Sequence, residues 1–452
     1  MKNTDILIIG SGLTGLSCAH HLRKKGKDFL VVEAANNPGG VIGTSEENGF
    51  LYETGPNTGV IGNPEVAEIF EDLKDNITVE VANKNVNKRY ILKNGNLEAL
   101  PGSLWGGIKT PLFTFRDKLR LLGEPFRKAG TNPNETLADL VKRRMGKSFL
   151  NYAIDPFILG VYAGDPAQLV PRFALPKLYN LEQEYGSFIG GAIKKKFAKA
   201  DPEMKKATRE IFSVKGGFKN LIEALYNSAG KENFLMGKEI VSIEKNEGGF
   251  LVKIQSGNAE IEEIQTKKVI STIGAYNIRK VFPFIEEEHL KNIEKLHYTK
   301  VIEVALGFDK WEGMELDGFG ALIPHSEKRD LLGIMFMSSL FKNRAPEGGA
   351  LITLFLGGVR RQDLLEKKDE EIKEIISKEI MDLFKLKSFN PKLFKLIWHS
   401  KAIPQYAADS ENRFKSIEAV QNNYPGLVLG GNIRDGIGMA DRMKQGKMLA
   451  NG

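Results

Sequence analysis

Apolar positions near the start of the chain come as an unbroken run, Ile6-Leu7-Ile8-Ile9, and not in alternation with polar ones. A short run rich in β-branched residues predicts a strand covered on both faces, as in a parallel sheet. Helical spacing follows from Leu16 to Lys25 and stops at Gly26; Phe29-Leu30-Val31-Val32 then predicts a second buried strand. The same reading gives strands at 239–243, 269–273, 301–306 and 427–429. Residues 88–100, KRYILKNGNLEAL, predict a hairpin turning at Asn94-Gly95. Asn63-Pro64-Glu65 predicts a helix start, with an amide cap, a proline in the first turn and an acid facing the positive end. Gly216-Gly217-Phe218 opens another helix after a tight turn. From 101 to 204 the pattern is mostly helical, with several breaks. There Leu104, Trp105, Ile108, Leu112, Phe113 and Phe115 interleave with Lys109, Arg116, Lys118 and Arg120. Such a face is either an ordinary solvated helical surface or one that lies on a membrane. Lys194-Lys195-Lys196 either joins it or is a solvated charge run.

The loop after the first strand carries chemistry. Gly10-Ser11-Gly12-Leu13-Thr14-Gly15 is a GxGxxG, and Glu33 closes the second strand. Between a strand and a helix, Gly10 permits the tight turn, Gly12 the approach of a pyrophosphate, and Gly15 close packing of helix on strand. The free N–H groups at Leu13 and Thr14 then face phosphates, and Glu33 can accept hydrogen bonds from ribose hydroxyls. The alternative is a glycine-rich turn in some other α/β protein.

The continuation separates FAD from NAD. Pro38-Gly39-Gly40, Thr44, Gly49-Phe50 and Glu53-Thr54-Gly55-Pro56-Asn57 resemble the amine oxidase superfamily of flavoproteins. In that superfamily a Gly-Gly segment follows the ribose-binding acid and a Gly-Pro segment lies beside the flavin. The resemblance therefore implies non-covalent FAD, with Gly39, Gly40, Gly55, Pro56 and Asn57 among its contacts. It also puts the backbone of Ile240 at adenine, and Gly431, Asn432, Gly438 and Met439, near Asp441, at the flavin. A helix starting near Met439 and aimed at the pyrimidine edge would stabilise the anion of reduced flavin; the alternative is a plain helix cap. Val41 departs from the pattern, since many members carry Arg or Lys after the Gly-Gly.

Gly160-Val161-Tyr162-Ala163-Gly164-Asp165-Pro166, followed by Leu169, resembles a segment typical of the porphyrinogen oxidases of heme synthesis. Glu184-Tyr185-Gly186-Ser187, Ser338-Ser339-Leu340-Phe341 with Arg344-Ala345-Pro346-Glu347-Gly348, and Ala402-Ile403-Pro404-Gln405-Tyr406 fit the same family in the same order. The resemblance covers essentially the whole chain. Ala408-Asp409 departs where the family has Gly-His, although Arg413 keeps its distance, and Leu104-Trp105-Gly106 offers no arginine for a substrate propionate. The expected fold is α/β (α+β). A Rossmann-like FAD-binding domain is expected at 1–80, 205–282 and 395–452. A mixed-sheet substrate domain is expected at 81–100 and 283–394, and a helical, membrane-facing region at 101–204.

The implied activity is oxidation of protoporphyrinogen IX or coproporphyrinogen III to the porphyrin. Six electrons leave in three cycles, hydride passing to flavin and oxygen returning it to the oxidised state with release of hydrogen peroxide. The chemistry is the cofactor's, and no acid–base dyad is implied. Substrate contacts are expected at Gly160, Tyr162 and Glu303. By alternation Glu303 shares a face with Val301 and Ala305, so it either lines the cavity and binds a pyrrole N–H, or is a strand-edge carboxylate in solvent or an ion pair. Amine oxidases usually carry Lys at that position, and no C-terminal Cys is present for covalent flavin. A carotenoid desaturase, an amine oxidase and a flavin-free escort protein of the same fold remain as alternatives.

Composition narrows the picture in four ways. A chain of 452 residues implies two or three domains. The single cysteine, Cys18, excludes a disulfide framework and fits a reducing compartment. The histidines show no ligand spacing, so no metal site is expected. The net charge of +7 suits an acidic ligand or an anionic membrane surface without being a nucleic-acid signature. With no visible secretory signal and no spanning apolar stretch, the expected location is cytoplasmic, peripheral on the inner face of the membrane.

Overall fold

The computed structural model describes residues 1–197 and 202–452, and only the backbone of Leu104; residues 198–201 of the expected helical region lie outside it. The unbroken apolar runs form the middle of a seven-stranded sheet in the order Phe234–Leu235, Phe29–Val32, Lys2–Ile9, Glu262–Ser271, Gly249–Gln255, Glu239–Asn246. Leu427–Leu429 pairs with the last residues of Glu262–Ser271. The first four strands and Leu427–Leu429 run parallel, and their apolar side chains, Leu7, Ile8, Val31, Val269 and Ile270 among them, are fully buried. The helix Leu13–Lys24 packs against the last helix, Met439–Asn451, so closely that a Cβ on Gly446 would overlap Ser17. The Ser17 hydroxyl donates to the Met443 carbonyl (2.9 Å), joining the two ends of the chain.

A second seven-stranded sheet has the order Leu393–His399, Val301–Phe308, Ala350–Gly357, Leu331–Met335, Gly318–Leu322, Lys88–Lys93, Asn96–Ala99. It is antiparallel except where Gly318–Leu322 meets Lys88–Lys93. The Lys88–Ala99 hairpin turns at Asn94-Gly95, as the sequence predicts. Every residue of Val301–Phe308 is buried, because both faces are covered. Ile302, Val304 and Leu306 pack under the helix Asp369–Phe384, while Ala305 faces Phe50 and Leu351.

Two of the expected boundaries need correction. Residues 395–399 belong to the second sheet, since Leu393–His399 pairs along Val301–Phe308. Residues 287–294 go with the first sheet, because the helix Glu287–Glu294 packs on Ser410–Asn423 and buries Leu290 and Ile293 in that sheet's core. The region from 101 is helical as expected, including Leu104–Lys109, Phe115–Leu122, Leu137–Arg144, Asp155–Tyr162 and Phe188–Phe197. A fully buried Arg144 binds Glu124 (2.6 Å) and Glu182 (2.9 Å) and so ties Leu137–Arg144 to the short turn Glu124–Phe126 and the helix Pro176–Tyr185. Glu124 also accepts from the Ser187 hydroxyl (2.6 Å) and the Phe188 N–H (3.0 Å), the extra hydrogen bonds a buried charge needs. Among the described residues no helix is long and apolar enough to cross a membrane.

Candidate functional site

The glycine loop joins Lys2–Ile9 to Leu13–Lys24. The Gly10 N–H donates to the Val32 carbonyl (2.9 Å), fixing the loop to the neighbouring strand. Gly15 lies where helix crosses strand, and a Cβ there would overlap the Gly10 carbonyl oxygen. Gly12 differs: nothing stands within 4 Å of where its Cβ would be. The protein's own packing does not require glycine at that position, and the open space beside the helix start is a fitting cradle for a pyrophosphate. No acid occupies the first helical turn, and the side chains of Leu13 and Thr14 are buried, so the groove meets backbone N–H groups. Gly39 and Gly40, at φ +109° and +62°, lie against this loop, with the Gly39 N–H donating to the Ser11 carbonyl (2.9 Å).

The Glu33 carboxylate accepts from the Ser11 N–H (2.7 Å) and hydroxyl (2.9 Å) and from the Ala35 N–H (2.8 Å). It thus closes the loop, while an ionised carboxylate keeps capacity for ribose hydroxyls. Lys238 and Gly237 pair by their N–H groups with the carbonyls of Glu33 and Ala35, each at 2.9 Å, which brings half-buried Ile240 to the same end.

At the other end, Thr272 joins the opening and closing motifs. Its hydroxyl lies 3.0 Å from the Ile9 carbonyl and 3.1 Å from that of Gly10, and Gly431 packs on its carbonyl. Buried Arg442 holds the loop that follows, donating to the carbonyls of Gly431, Arg434 (2.9 Å) and Asp435 (2.8 Å) and to Gln445 Oε1 (2.9 Å). Burial pulls its guanidinium below the ordinary arginine pKa. The Tyr406 hydroxyl reaches the carbonyls of Asn432 (3.0 Å) and Gly436 (3.1 Å), and the Tyr298 hydroxyl donates to Asn432 Oδ1 (2.9 Å). Burial pushes Tyr406 up to about 12 and Tyr298 upward too, so both phenols remain donors. The Met439 side chain is buried, and Asp441 accepts from the Gly438 N–H (3.1 Å) at the start of the last helix.

Gly55 lies against the Val41 carbonyl so closely that a Cβ would overlap it; half-buried Pro56 then leads to buried Asn57. Glu53, just upstream, accepts from the Thr44 hydroxyl (2.5 Å), the Phe218 N–H (3.2 Å) and buried Arg344 (3.3 Å). Burial outweighs those donors and pushes the carboxyl from its ordinary 4.5 up to about 7. Of the readings of Glu303, the paired carboxylate is the one found, though in mid-sheet and not at a strand edge: it is 1% exposed, and its oxygens meet Asn57 Nδ2 (2.5 Å) and His399 Nε2 (2.9 Å). Both oxygens have protein partners because its strand lies between two others.

Gly160 packs on Leu322 of the second sheet, where a Cβ would collide with it, and the Tyr162 hydroxyl donates to the Ala174 carbonyl (2.8 Å). Tyr162, Phe173, Tyr406, Phe414, Gly436 and Asp441 help line a cavity of about 610 Å³, between the helical region and the loop before the last helix. A smaller cavity, about 270 Å³, is bordered by Lys84, Arg89 and Arg209 with Glu210 as its acid. Its wall includes Ile211, which pairs with Val60 just beyond Asn57.

Sequence reasoning missed Tyr298, Thr353, His399, Arg442 and Gln445. Arg442 left a signal, since it sits beside Met439, Met443 and Gly446 on the apolar stripe of the last helix, where a charge has to be matched internally. Gln445 bonds within its own segment, to Arg442, Asp435 and Gly431, whereas Tyr298, Thr353 and His399 gave none, because their partners lie far away along the chain.

Residues 13–446 match the family of flavin containing amine oxidoreductases. The chain is 31% identical to protoporphyrinogen oxidase 1, chloroplastic, of Arabidopsis thaliana, over 96% of this chain and 85% of that protein. It is 25% identical to the coproporphyrinogen III oxidase of Bacillus subtilis (strain 168), over 98% of this chain and 96% of the other. A solved structure from Exiguobacterium sp. 255-15, described as a candidate protoporphyrinogen oxidase, superposes with a TM-score of 0.82 at 21% identity, covering 100% of this chain and 98% of the other. That likeness establishes the fold.

Proposed function

The chain belongs to the flavin containing amine oxidoreductases, and on that premise we propose that it is an FAD-dependent enzyme oxidising a porphyrinogen to the porphyrin, with oxygen as acceptor. The observation that carries this reading is resemblance to porphyrinogen oxidases along almost the entire chain, second sheet and helical region included. FAD, when bound, supplies the hydride acceptor and the route by which electrons reach oxygen. The protein's part is to hold and orient. Backbone N–H groups at Leu13 and Thr14 and the carboxylate of Glu33 suit the pyrophosphate and a ribose. Gly55, Pro56, Asn57, Gly431, Asn432, Gly438 and Met439 suit the flavin end, with Ile240 beside adenine. Gly160 and Tyr162 wall the substrate side, and the basic lining of Lys84, Arg89 and Arg209 suits a propionate carboxylate.

The reading includes a peripheral seat on the inner face of a membrane. Trp105, Phe115, Leu122, Phe126 and Phe197 are exposed, with Phe126 at 91%, and they lie on neighbouring segments of the helical region. Phe115, Leu119 and Leu122 share one face of a helix that also carries Arg116, Lys118 and Arg120, the composition of an interfacial helix. Lys194, Lys195 and Lys196 stand in the last turn of an adjoining helix.

Purified holoprotein given protoporphyrinogen or coproporphyrinogen in air should raise porphyrin fluorescence and release hydrogen peroxide faster than a protein-free control. A flavin-bearing protein that accelerates neither substrate would turn attention to amine or carotenoid substrates.

A further inference from the structure

Glu303 stands in mid-strand, with Phe355 opposite it on one side and Ile397 on the other. Strand alternation gives it Val301 and Ala305 as same-face neighbours, so an apolar residue would be the ordinary occupant. A buried carboxylate there is costly unless it is hydrogen-bonded. What it bonds to accounts for its presence. Oε1 accepts from Asn57 Nδ2 (2.5 Å), and Oε2 pairs with His399 Nε2 (2.9 Å) at the end of the neighbouring strand. The second Nδ2 hydrogen of Asn57 goes to the Gly55 carbonyl (3.0 Å), and Asn57 Oδ1 accepts from the Thr353 hydroxyl (3.0 Å). A primary amide has two N–H donors, and both are committed. What remains free on Asn57 is acceptor capacity at Oδ1.

We propose that Glu303 is a positioning residue which, backed by His399, fixes the Asn57 amide so that the Gly55–Asn57 segment offers the bound cofactor and substrate an acceptor and not a donor. This rests on the reading that the Gly55–Asn57 segment borders the flavin. An acceptor suits an N–H group, whether on the reduced ring or on a pyrrole, and a flipped amide would present a donor in its place.

The test uses the holoenzyme. Glu303→Gln keeps an oxygen for Asn57 and turns its N–H toward His399, so it should retain the wild-type visible flavin spectrum and turnover within about threefold. Glu303→Leu leaves the Asn57 donor unmatched; it should shift the flavin spectrum and slow turnover about 10- to 100-fold at undiminished FAD content. A Glu303→Leu protein with the wild-type spectrum and rate overturns the proposal. So does a Glu303→Gln protein as impaired as Glu303→Leu, because charge and not the hydrogen bond would then be required. If Glu303→Leu fails to fold, Asn57→Leu removes the amide that Glu303 is proposed to fix and should shift the spectrum; an unchanged spectrum overturns the proposal. The spectral arm needs no porphyrinogen, so a wild type inert toward porphyrinogens would defeat the functional reading and leave this inference to be judged on the flavin bands.

Discussion

The two ends of the proposed dinucleotide groove are built by different means. The nucleotide end is made of backbone: a glycine loop, a helix start, and a carboxylate that bonds within 22 residues of itself. The end proposed for the flavin is made of side chains gathered from remote segments: Asn57, Tyr298, Glu303, Thr353, His399, Tyr406 and Arg442. Shape and N–H direction are enough to hold a phosphate. Setting the polarity around a reacting ring requires buried polar groups, each of which must be matched because an unmatched one costs about 1–3 kcal/mol. The chemistry-bearing end is therefore the one that depends most on the rest of the fold.

The largest expected effect sharpens the backbone side of that contrast. Gly15→Val forces a side chain into the Gly10 carbonyl, and the loss of stability should exceed about 3 kcal/mol, with no flavin retained. Thermal unfolding and visible absorbance would show it; a stable yellow variant would mean the close approach is dispensable.

The next effect is one of pH and sets the far end of the first helix against Glu53. His21, on the first helix, is buried with its Nε2 unpaired, and burial lowers it from 6.5 to about 4. Below pH 6.5 the unfolded chain takes up a proton that the folded one refuses, so His21 makes stability fall as pH drops toward 4. Glu53 at the flavin end acts the opposite way. Its folded carboxyl keeps a proton up to about 7, while the unfolded one releases it near 4.5, so stability falls as pH rises through that window. Urea unfolding of His21→Leu and Glu53→Gln against wild type should show slope changes of opposite sign, each about 3 kcal/mol across its window. Slope changes of the same sign would contradict the assignment.

A smaller effect isolates the ligand from the fold. Gly12→Ala meets no protein atom, so apoprotein stability should stay within about 0.5 kcal/mol of wild type. FAD affinity, followed by fluorescence titration, should nonetheless fall about tenfold or more, because the methyl enters the pyrophosphate cradle. Unchanged affinity would move the phosphates elsewhere. Smallest for turnover, Phe126→Ser should leave activity in solution unaltered while weakening sedimentation with anionic vesicles; equal sedimentation would remove Phe126 from the proposed membrane face.

The same contrast explains what could be read in advance. The glycine loop, the Asn63 cap on Val66, the Asn94-Gly95 turn and the start of the last helix at Met439 follow from rules acting over a few residues. Asn57 and Glu303 are 246 residues apart, and nothing local to either announces the other. The alternation of Val301–Phe308 placed Glu303 on a face but not in mid-sheet, which takes the pairing of three strands to know. The displaced boundaries have the same origin: 287–294 and 395–399 have ordinary local patterns, and only the surface each packs against decides where it belongs.

The most direct test of the central claim is a single turnover without oxygen. Holoprotein mixed anaerobically with a porphyrinogen should lose its oxidised-flavin absorbance as substrate is consumed, and admitting air should restore the absorbance and let porphyrin accumulate. Flavin that keeps its full oxidised spectrum with both protoporphyrinogen and coproporphyrinogen would contradict the account.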